Sequence, residues 1–382
     1  MSGVPGAVRP LQGGLRVFHP LRVAAVDRLT DDAVALTLAV PEELRATYRY
    51  APGQHIALRR TTEPGEEIRR TYSLCAPAEE EPVTLRVGIR LVEGGEFSTY
   101  ALKELTVGST VEALPPTGRF VLEPRRGRFA AVVGGSGITP VLSMAATLLA
   151  REPQASFCLI RSDRTTGSTM FLEEVADLKD RYPERFQLVT VLSREEQESG
   201  LPTGRLDEER LRALLPALLP EGGAASMDGW YLCGPLGLVE GASRALRTLE
   251  VPREHIHQEI FHAEAEAEAD TNTDTGATAA PPRPAAQPSA GSVSVRAVLA
   301  GRSGTWPVDE GESVLEAVLR NRPDAPYACK GGVCGTCRVR LLGGEVHMER
   351  NYALEEEELK AGYVLACQSR PLTEKVEVDF DA

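Results

Sequence analysis

Four cysteines crowd the C-terminal part of the chain: Cys329, Cys334, Cys337 and Cys367. They run Cys-x4-Cys-x2-Cys, with Cys367 after twenty-nine further intervening residues. Thiolates are soft ligands, and three from one tight loop plus one from a distant segment can surround a pair of irons. The spacing is that of a 2Fe–2S cluster. In CKGGVCGTC, the glycines Gly331, Gly332 and Gly335 permit positive φ and free backbone N–H groups to point at sulfur, where they would tune the potential. A zinc site or plain buried thiols are the other readings. Zinc ribbons usually pair two Cys-x2-Cys knuckles, and this chain has one. Cys75, Cys158 and Cys233 lie far apart, and Cys75 and Cys158 read as core residues.

A second group reads Arg70-Thr71-Tyr72-Ser73. On a strand, residues two apart share a face, so Arg70 and Tyr72 present a guanidinium fork and a flat ring together. The fork suits a pyrophosphate, and the ring suits packing on another aromatic system. Ser73 can hydrogen-bond the nitrogen edge of such a ring. About twenty residues on, Gly94-Gly95-Glu96-Phe97-Ser98 offers bare backbone at Gly95 and a hydroxyl at Ser98 to a phosphate. Taken alone, Arg-x-Tyr-Ser also describes an ordinary strand without a ligand.

A third group, Gly134-Gly135-Ser136-Gly137-Ile138-Thr139-Pro140, follows a buried-strand run and opens a helical stretch. Gly134, Gly135 and Gly137 permit a tight turn and close approach of a pyrophosphate. The helix N-terminus favours its charge, and Thr139 adds a hydroxyl. The pattern differs from G-x-G-x-x-G. Cys233-Gly234-Pro235 ends a later strand, and a buried strand-end thiol is its plain reading. Glu259 precedes Ile260-Phe261; it is a candidate for proton handling, with a solvated helix or strand end as the alternative. Ser162 and Arg164 follow the second strand of this part. A hydroxyl and a guanidinium there suit a ribose 2′-phosphate and hence NADPH, with NADH left open because Asp163 lies between them. Arg161 reads as surface charge.

The elements needed to position these groups are legible too. Ala33–Leu38, His55–Leu58 and Val83–Ile89 look like short strands between turns, which predicts a small antiparallel barrel. Phe129–Val133, Phe157–Ile160, Gln187–Val191 and Trp230–Cys233 look like parallel strands with helices between, an α/β pattern. Val293–Leu299 and Gly304–Val308 predict a hairpin, and Ser313–Asn321 a helix. Residues 262–292 are rich in Ala, Glu, Thr and Pro and lack large apolar side chains, which predicts a flexible linker. The expected organisation is therefore multidomain: a flavin barrel at 15–124, a nucleotide-binding α/β domain at 125–261, the linker at 262–292, and an iron–sulfur domain at 293–382.

Composition sets outer bounds. The net charge of -13 makes nucleic acid a poor candidate partner. No apolar run approaches the roughly 20 residues of a membrane span. Residues 1–15 lack the apolar core of a signal peptide, so a cytoplasmic location is expected. A reducing compartment also argues against disulfides among the clustered cysteines.

Taken together, the Arg70–Ser73 strand, the Gly94–Ser98 turn and the Gly134–Pro140 turn resemble the ferredoxin–NADP reductase superfamily. The C-terminal part resembles a plant-type ferredoxin with a β-grasp fold. Flavin domain, nucleotide domain, then ferredoxin is the order in one branch of oxygenase reductases. The stretch from Pro326 to Ala382 and that from Met170 to Glu195 resemble members of this branch closely. The resemblance implies FAD rather than FMN, held by Arg70, Tyr72, Ser73, Gly95 and Ser98. It implies a nicotinamide positioned by Cys233, Gly234 and Pro235, with Ser73, Cys233 and Glu259 catalytic. It implies electron transfer to the oxygenase subunits of a multicomponent di-iron epoxidase. The chain has no Glu-x-x-His pair of the di-iron bundle type, so oxygen chemistry would occur in the partner. The reductase of another aromatic-ring oxygenase, a redox module without nicotinamide turnover, and a zinc-stabilised interaction protein are the competing readings.

Overall fold

A computed structural model of the chain describes residues 17–61, 67–196, 203–219, 222–261, 293–322, 325–327, 330–354 and 356–382. The expected linker and the expected ligand Cys329 lie outside these residues. The chain separates into two compact units, one within Phe18–Ala280 and one within Pro281–Ala382.

The first unit opens with β1 (His19–Thr30), β2 (Ala33–Ala39), β3 (His55–Thr61), β4 (Glu67–Ser73), β5 (Thr84–Arg90), α1 (Glu96–Lys103) and β6 (Thr110–Ala113). Its six strands pair antiparallel in the order β4-β3-β6-β1-β2-β5. Leu74 bridges Val87 across the two outer strands and closes the sheet into a barrel, which removes its open edges. Leu36, Leu38, Ile56, Leu58, Leu85 and Val87 fill the interior, and Phe97 of α1 plugs one side. The period-2 alternation of these strands supplies that apolar face.

The same unit continues with β7 (Gly127–Gly134), α2 (Ile138–Arg151), β8 (Ala155–Asp163), α3 (Leu172–Arg181), β9 (Phe186–Leu192), α4 (Glu208–Leu218), β10 (Gly229–Gly234), α5 (Leu236–Thr248) and β11 (Ile256–Ile260). The five strands are parallel, ordered β11-β10-β7-β8-β9. Phe129 to Gly134 is buried without a break, as a parallel strand covered on both faces must be. Strand order reverses between β7 and β10, so their carboxyl ends form the crevice where doubly wound sheets take ligands.

Barrel and parallel sheet are joined by specific contacts. The Ala78 N–H donates to Thr147 Oγ1 at 2.9 Å, and Arg151 donates to the Ala78 carbonyl. Arg86 on β5 pairs with Glu174 on α3 at 2.9 Å. Phe171, at a φ of 55°, seats its ring against Gly88 of β5. A side chain at Gly88 would strike both Phe171 and Thr139.

The second unit contains β12 (Ser294–Leu299), β13 (Arg302–Pro307), α6 (Val314–Leu319), β14 (Arg338–Gly343), β15 (Val346–Met348), α7 (Glu356–Lys360), β16 (Tyr363–Leu365), β17 (Ser369–Pro371) and β18 (Lys375–Asp379). A mixed sheet, ordered β13-β12-β18-β14-β16, wraps α6; β12 and β18 are parallel. Ser313 and Glu316 cap α6 reciprocally, satisfying N–H groups that the helix cannot. Val314, Leu315, Ala317 and Val318 then point into the core. This is the β-grasp arrangement expected from the hairpin and helix. Among the described residues, no helix is long and apolar enough to cross a membrane.

Candidate functional site

The crevice is built backbone against backbone. Gly135 turns the chain at a φ of 55° between β7 and α2. A Cβ on Gly137 would overlap the carbonyl of Cys233, and one on Gly234 would strike Gly134. The two turns therefore pack at van der Waals distance only because these positions are bare. No side chain caps the start of α2; the Ile138 N–H bonds back to the Gly135 carbonyl and Pro140 has none, so the helix dipole is what favours an anion at this turn. The hydroxyl of Thr139 donates to the Ser136 carbonyl at 2.9 Å and braces the turn from inside. Gly137→Ala is expected to force the turn off β10 and cost about 1–3 kcal/mol of stability. Thermal melting measures it, and an unshifted midpoint contradicts the packing.

Three residues expected to be catalytic meet at this crevice from three strands. Cys233 on β10 lies in register with Glu259 on β11. Ser73, at the end of β4, donates to Glu259 Oε2 at 3.5 Å. A fourth residue joins them: His55 Nδ1 lies 3.9 Å from Glu259 Oε1. Burial pushes the Glu259 carboxyl up to about 8, with the Ser73 hydrogen bond opposing. Burial, then the neighbouring Glu259, pushes the Cys233 thiol up as well. Glu259 is thus no solvated strand end.

A carboxyl raised on folding favours the fold at low pH. That contribution is complete below the unfolded value of 4.5 and is lost as pH rises through 8. Glu259→Gln should therefore match the parent chain near pH 4.5 and exceed it by about 2–4 kcal/mol above pH 8. Denaturant melts across this window measure the difference; a constant difference contradicts a buried, raised carboxyl.

On β4, Arg70 is exposed and Tyr72 half-buried. The Tyr72 ring rests on Phe97 of α1 at 5.5 Å, so one flat ring is backed by another. Gly95 begins α1 without a side-chain cap. The hydroxyl of Ser98 accepts from the Val92 N–H and donates to the Gly95 carbonyl, each at 3.1 Å. Ser98 therefore shapes the turn. An exposed guanidinium, a backed ring and an uncapped helix start fit a flavin with a phosphate tail.

The end of β8 differs from expectation in one respect. Arg161 is not surface charge: its Nε donates to Asp163 Oδ2 at 2.8 Å, and both side chains are buried. Alternation along the strand sends this pair to one face and Ser162 to the other, and Arg164, just past the strand end, is exposed. The only acidic group between the two expected 2′-phosphate contacts is thereby turned away from them. Beyond β9, the Ser193 N–H donates to the Asp163 carbonyl and the Arg194 N–H to the Arg164 carbonyl, each at 2.9 Å. The ladder sets exposed Arg194 beside exposed Arg164. Arg90, at the end of β5, is a further residue that the sequence alone did not single out. It donates to the Ser168 carbonyl, and its Nη1 borders Gly135.

In the second unit, Cys334 and Cys337 precede β14, and Cys367 follows β16. The Thr336 N–H points at Cys334 Sγ at 3.5 Å, and Gln368 Nε2 lies 3.6 Å from Cys367 Sγ. Cys337 is buried against Cys367. Among the described residues, no three Cys, His, Asp or Glu side chains are grouped to hold a metal ion. Gly332 and Gly335 take positive φ in this loop, and soft sulfurs with N–H donors at Cys334 and Cys367 are the donor set an iron–sulfur cluster takes.

Three family models match in series. An oxidoreductase FAD-binding domain matches residues 20–122, an oxidoreductase NAD-binding domain 132–244, and a 2Fe-2S iron-sulfur cluster binding domain 298–372. The chain is similar to one of the subunits of the 1,2-phenylacetyl-CoA epoxidase of Escherichia coli (strain K12), with 42% identity over 96% of this chain and 99% of that one. It is 30% identical to the ferredoxin reductase component of 3-ketosteroid-9-alpha-monooxygenase from Rhodococcus rhodochrous, over 94% and 96% of the two chains. Phthalate dioxygenase reductase, described as a modular structure for electron transfer from pyridine nucleotides to a 2Fe–2S centre, is 25% identical with a TM-score of 0.57, over 95% of this chain and 98% of that one.

Proposed function

We propose, from the premise that this chain belongs to the oxygenase reductases joining FAD-binding, NAD-binding and 2Fe–2S domains, that it draws electrons from NADPH and delivers them singly to a di-iron epoxidase acting on phenylacetyl-CoA. The observation that carries this reading is the meeting of Ser73, Cys233 and Glu259 at the crevice. Bound flavin supplies hydride acceptance with one-electron release, and a bound cluster supplies one-electron carriage.

The chain's own residues bind, orient and manage protons. Arg70 would pair with the flavin pyrophosphate and Tyr72 would pack on the ring, held flat by Phe97. Gly95 and Ser98 shape the helix start that would meet the phosphates. Ser73 would meet the ring's nitrogen edge, and Glu259 holds a proton within reach of the Ser73 hydroxyl. Gly134, Gly135, Gly137 and Thr139 form the turn for the dinucleotide phosphates, with Arg90 at its rim. Gly234 and Pro235 would wall the nicotinamide, and buried Cys233 would keep water from it. Ser162 and Arg164, reinforced by Arg194, favour NADPH, because Asp163 is tied to Arg161. Cys329, Cys334, Cys337 and Cys367 would ligate the cluster.

The epoxidase partner is inferred from the relative that is named as part of 1,2-phenylacetyl-CoA epoxidase, and a cytoplasmic location goes with it. The reductase component of a ring hydroxylase is the second reading, favoured by the likeness to phthalate dioxygenase reductase. Anaerobic NADPH should bleach the flavin band of the purified chain faster than NADH does. Oxygen uptake with candidate oxygenase subunits should then require phenylacetyl-CoA. A flavin that stays oxidised with either nicotinamide sinks the reading; uptake supported only by a ring hydroxylase replaces the partner.

A further inference from the structure

We infer that His55 is the proton partner of Glu259, a positioning residue set at ion-pair distance from one oxygen of the carboxyl while Ser73 bonds the other. It rests on the proposed nicotinamide–flavin junction at that carboxyl.

The geometry begins with strand register. His55 on β3 stands opposite Ser73 on β4. Residues in cross-strand register project to the same face. Both therefore reach toward β11, Ser73 to Oε2 at 3.5 Å and His55 to Oε1 at 3.9 Å. One carboxyl thus has the Ser73 hydroxyl bonded to one oxygen and the His55 imidazole at ion-pair separation from the other, both from a single cross-strand pair.

The histidine is fixed as firmly as the carboxyl. Its backbone N–H donates to the Thr117 carbonyl and its backbone carbonyl accepts from the Thr117 N–H, each at 2.9 Å. Gly118, at a φ of 122°, leaves room for the ring: a Cβ there would sit 3.0 Å from Nδ1. His55 is 4% exposed and the Glu259 side chain 14%. In so dry a setting a charge or hydrogen bond counts for more than in water.

Among the described residues, Cys233 on β10 is a further titratable group against Glu259. His257 lies two residues back along β11 and stacks on Tyr231 at 5.0 Å. Exposed Arg119 follows Gly118.

The step balances simply. Once the imidazole closes from 3.9 Å to hydrogen-bond distance, the O–H bond of the Glu259 carboxyl breaks and an N–H bond forms at His55 Nδ1, leaving carboxylate and imidazolium; no electrons change hands. A carboxyl alone in this position would have to release its proton to leave an isolated buried charge, which is costly. With His55 beside it, the released proton stays within the pair.

The test uses the full flavin-loaded chain without nicotinamide. The infrared carboxylic-acid band assigned to Glu259, by its loss in Glu259→Gln, is followed against pH. In His55→Leu and His55→Asn its midpoint should rise by about one pH unit or more, the Asn variant shifting less. An unmoved midpoint in a folded His55→Leu chain overturns the inference. If His55→Leu fails to fold, the imidazole resonances of the parent chain and of Glu259→Gln decide. The His55 midpoint should fall in Glu259→Gln, and an unmoved one overturns the inference. Both titrations are read without turnover. Absent coupling in a chain that NADPH still reduces removes this inference alone, whereas a chain that no nicotinamide reduces removes the reading it rests on.

Discussion

Cys334→Ser is expected to cut NADPH-driven reduction of cytochrome c at least about 100-fold, while the flavin band still bleaches on NADPH addition. A serine oxygen is a hard, weakly acidic ligand where the cluster needs a soft thiolate. Cys334 lies in the C-terminal unit, in a loop whose Thr336 N–H already points at its sulfur. The barrel and the parallel sheet are knit to each other through Ala78, Arg86 and Phe171, all within the first unit. Nothing in that knit involves the loop. Acid-labile sulfide, the visible spectrum and stopped-flow bleaching together separate the two steps. Unchanged cytochrome c reduction would mean that the flavin needs no cluster to pass electrons on.

Glu259→Gln should slow NADPH-driven bleaching by about 100-fold. Glutamine keeps the size of the side chain and can still accept from Ser73, so the crevice stays filled. What it loses is the exchangeable proton. The carboxyl is held up to about 8 by burial, near the pH where a proton-handling group works best. The parent chain should show a limb near that pH in its bleaching rate, and the variant should not. Binding of NADP+ should change little, because the substitution leaves the Gly134–Thr139 turn untouched. A rate and pH profile like the parent's would reduce Glu259 to a packing residue.

How much of this was legible depended on whether the signal was local. The cysteine spacing, the Gly134–Pro140 turn and the Arg70–Ser73 strand each sit within a few residues, and their chemistry is written in their types. Arg161 was misread although the signal was present: a strand that runs to Asp163 must carry Arg161 and Asp163 on one face, and neither charge then belongs to the surface. His55 offered no such signal. It is one histidine after a turn, and its partners are Ser73 across a ladder and Glu259 at a separation of 204 positions. Arg90 and Arg194 become relevant only once barrel and sheet order set them beside Gly135 and Arg164. Ser98 was expected to present its hydroxyl outward. The helix start at Glu96 turned it in, onto the Val92 and Gly95 backbone.

One measurement bears most directly on the relay from nicotinamide to iron. The full chain is mixed with NADPH under anaerobic conditions, frozen at successive times, and examined by electron paramagnetic resonance. A reduced two-iron signal should grow in as the flavin band bleaches and be missing in Cys334→Ser. A flavin that NADPH reduces fully in the parent chain, with iron and sulfide bound and no such signal at any time, would contradict it.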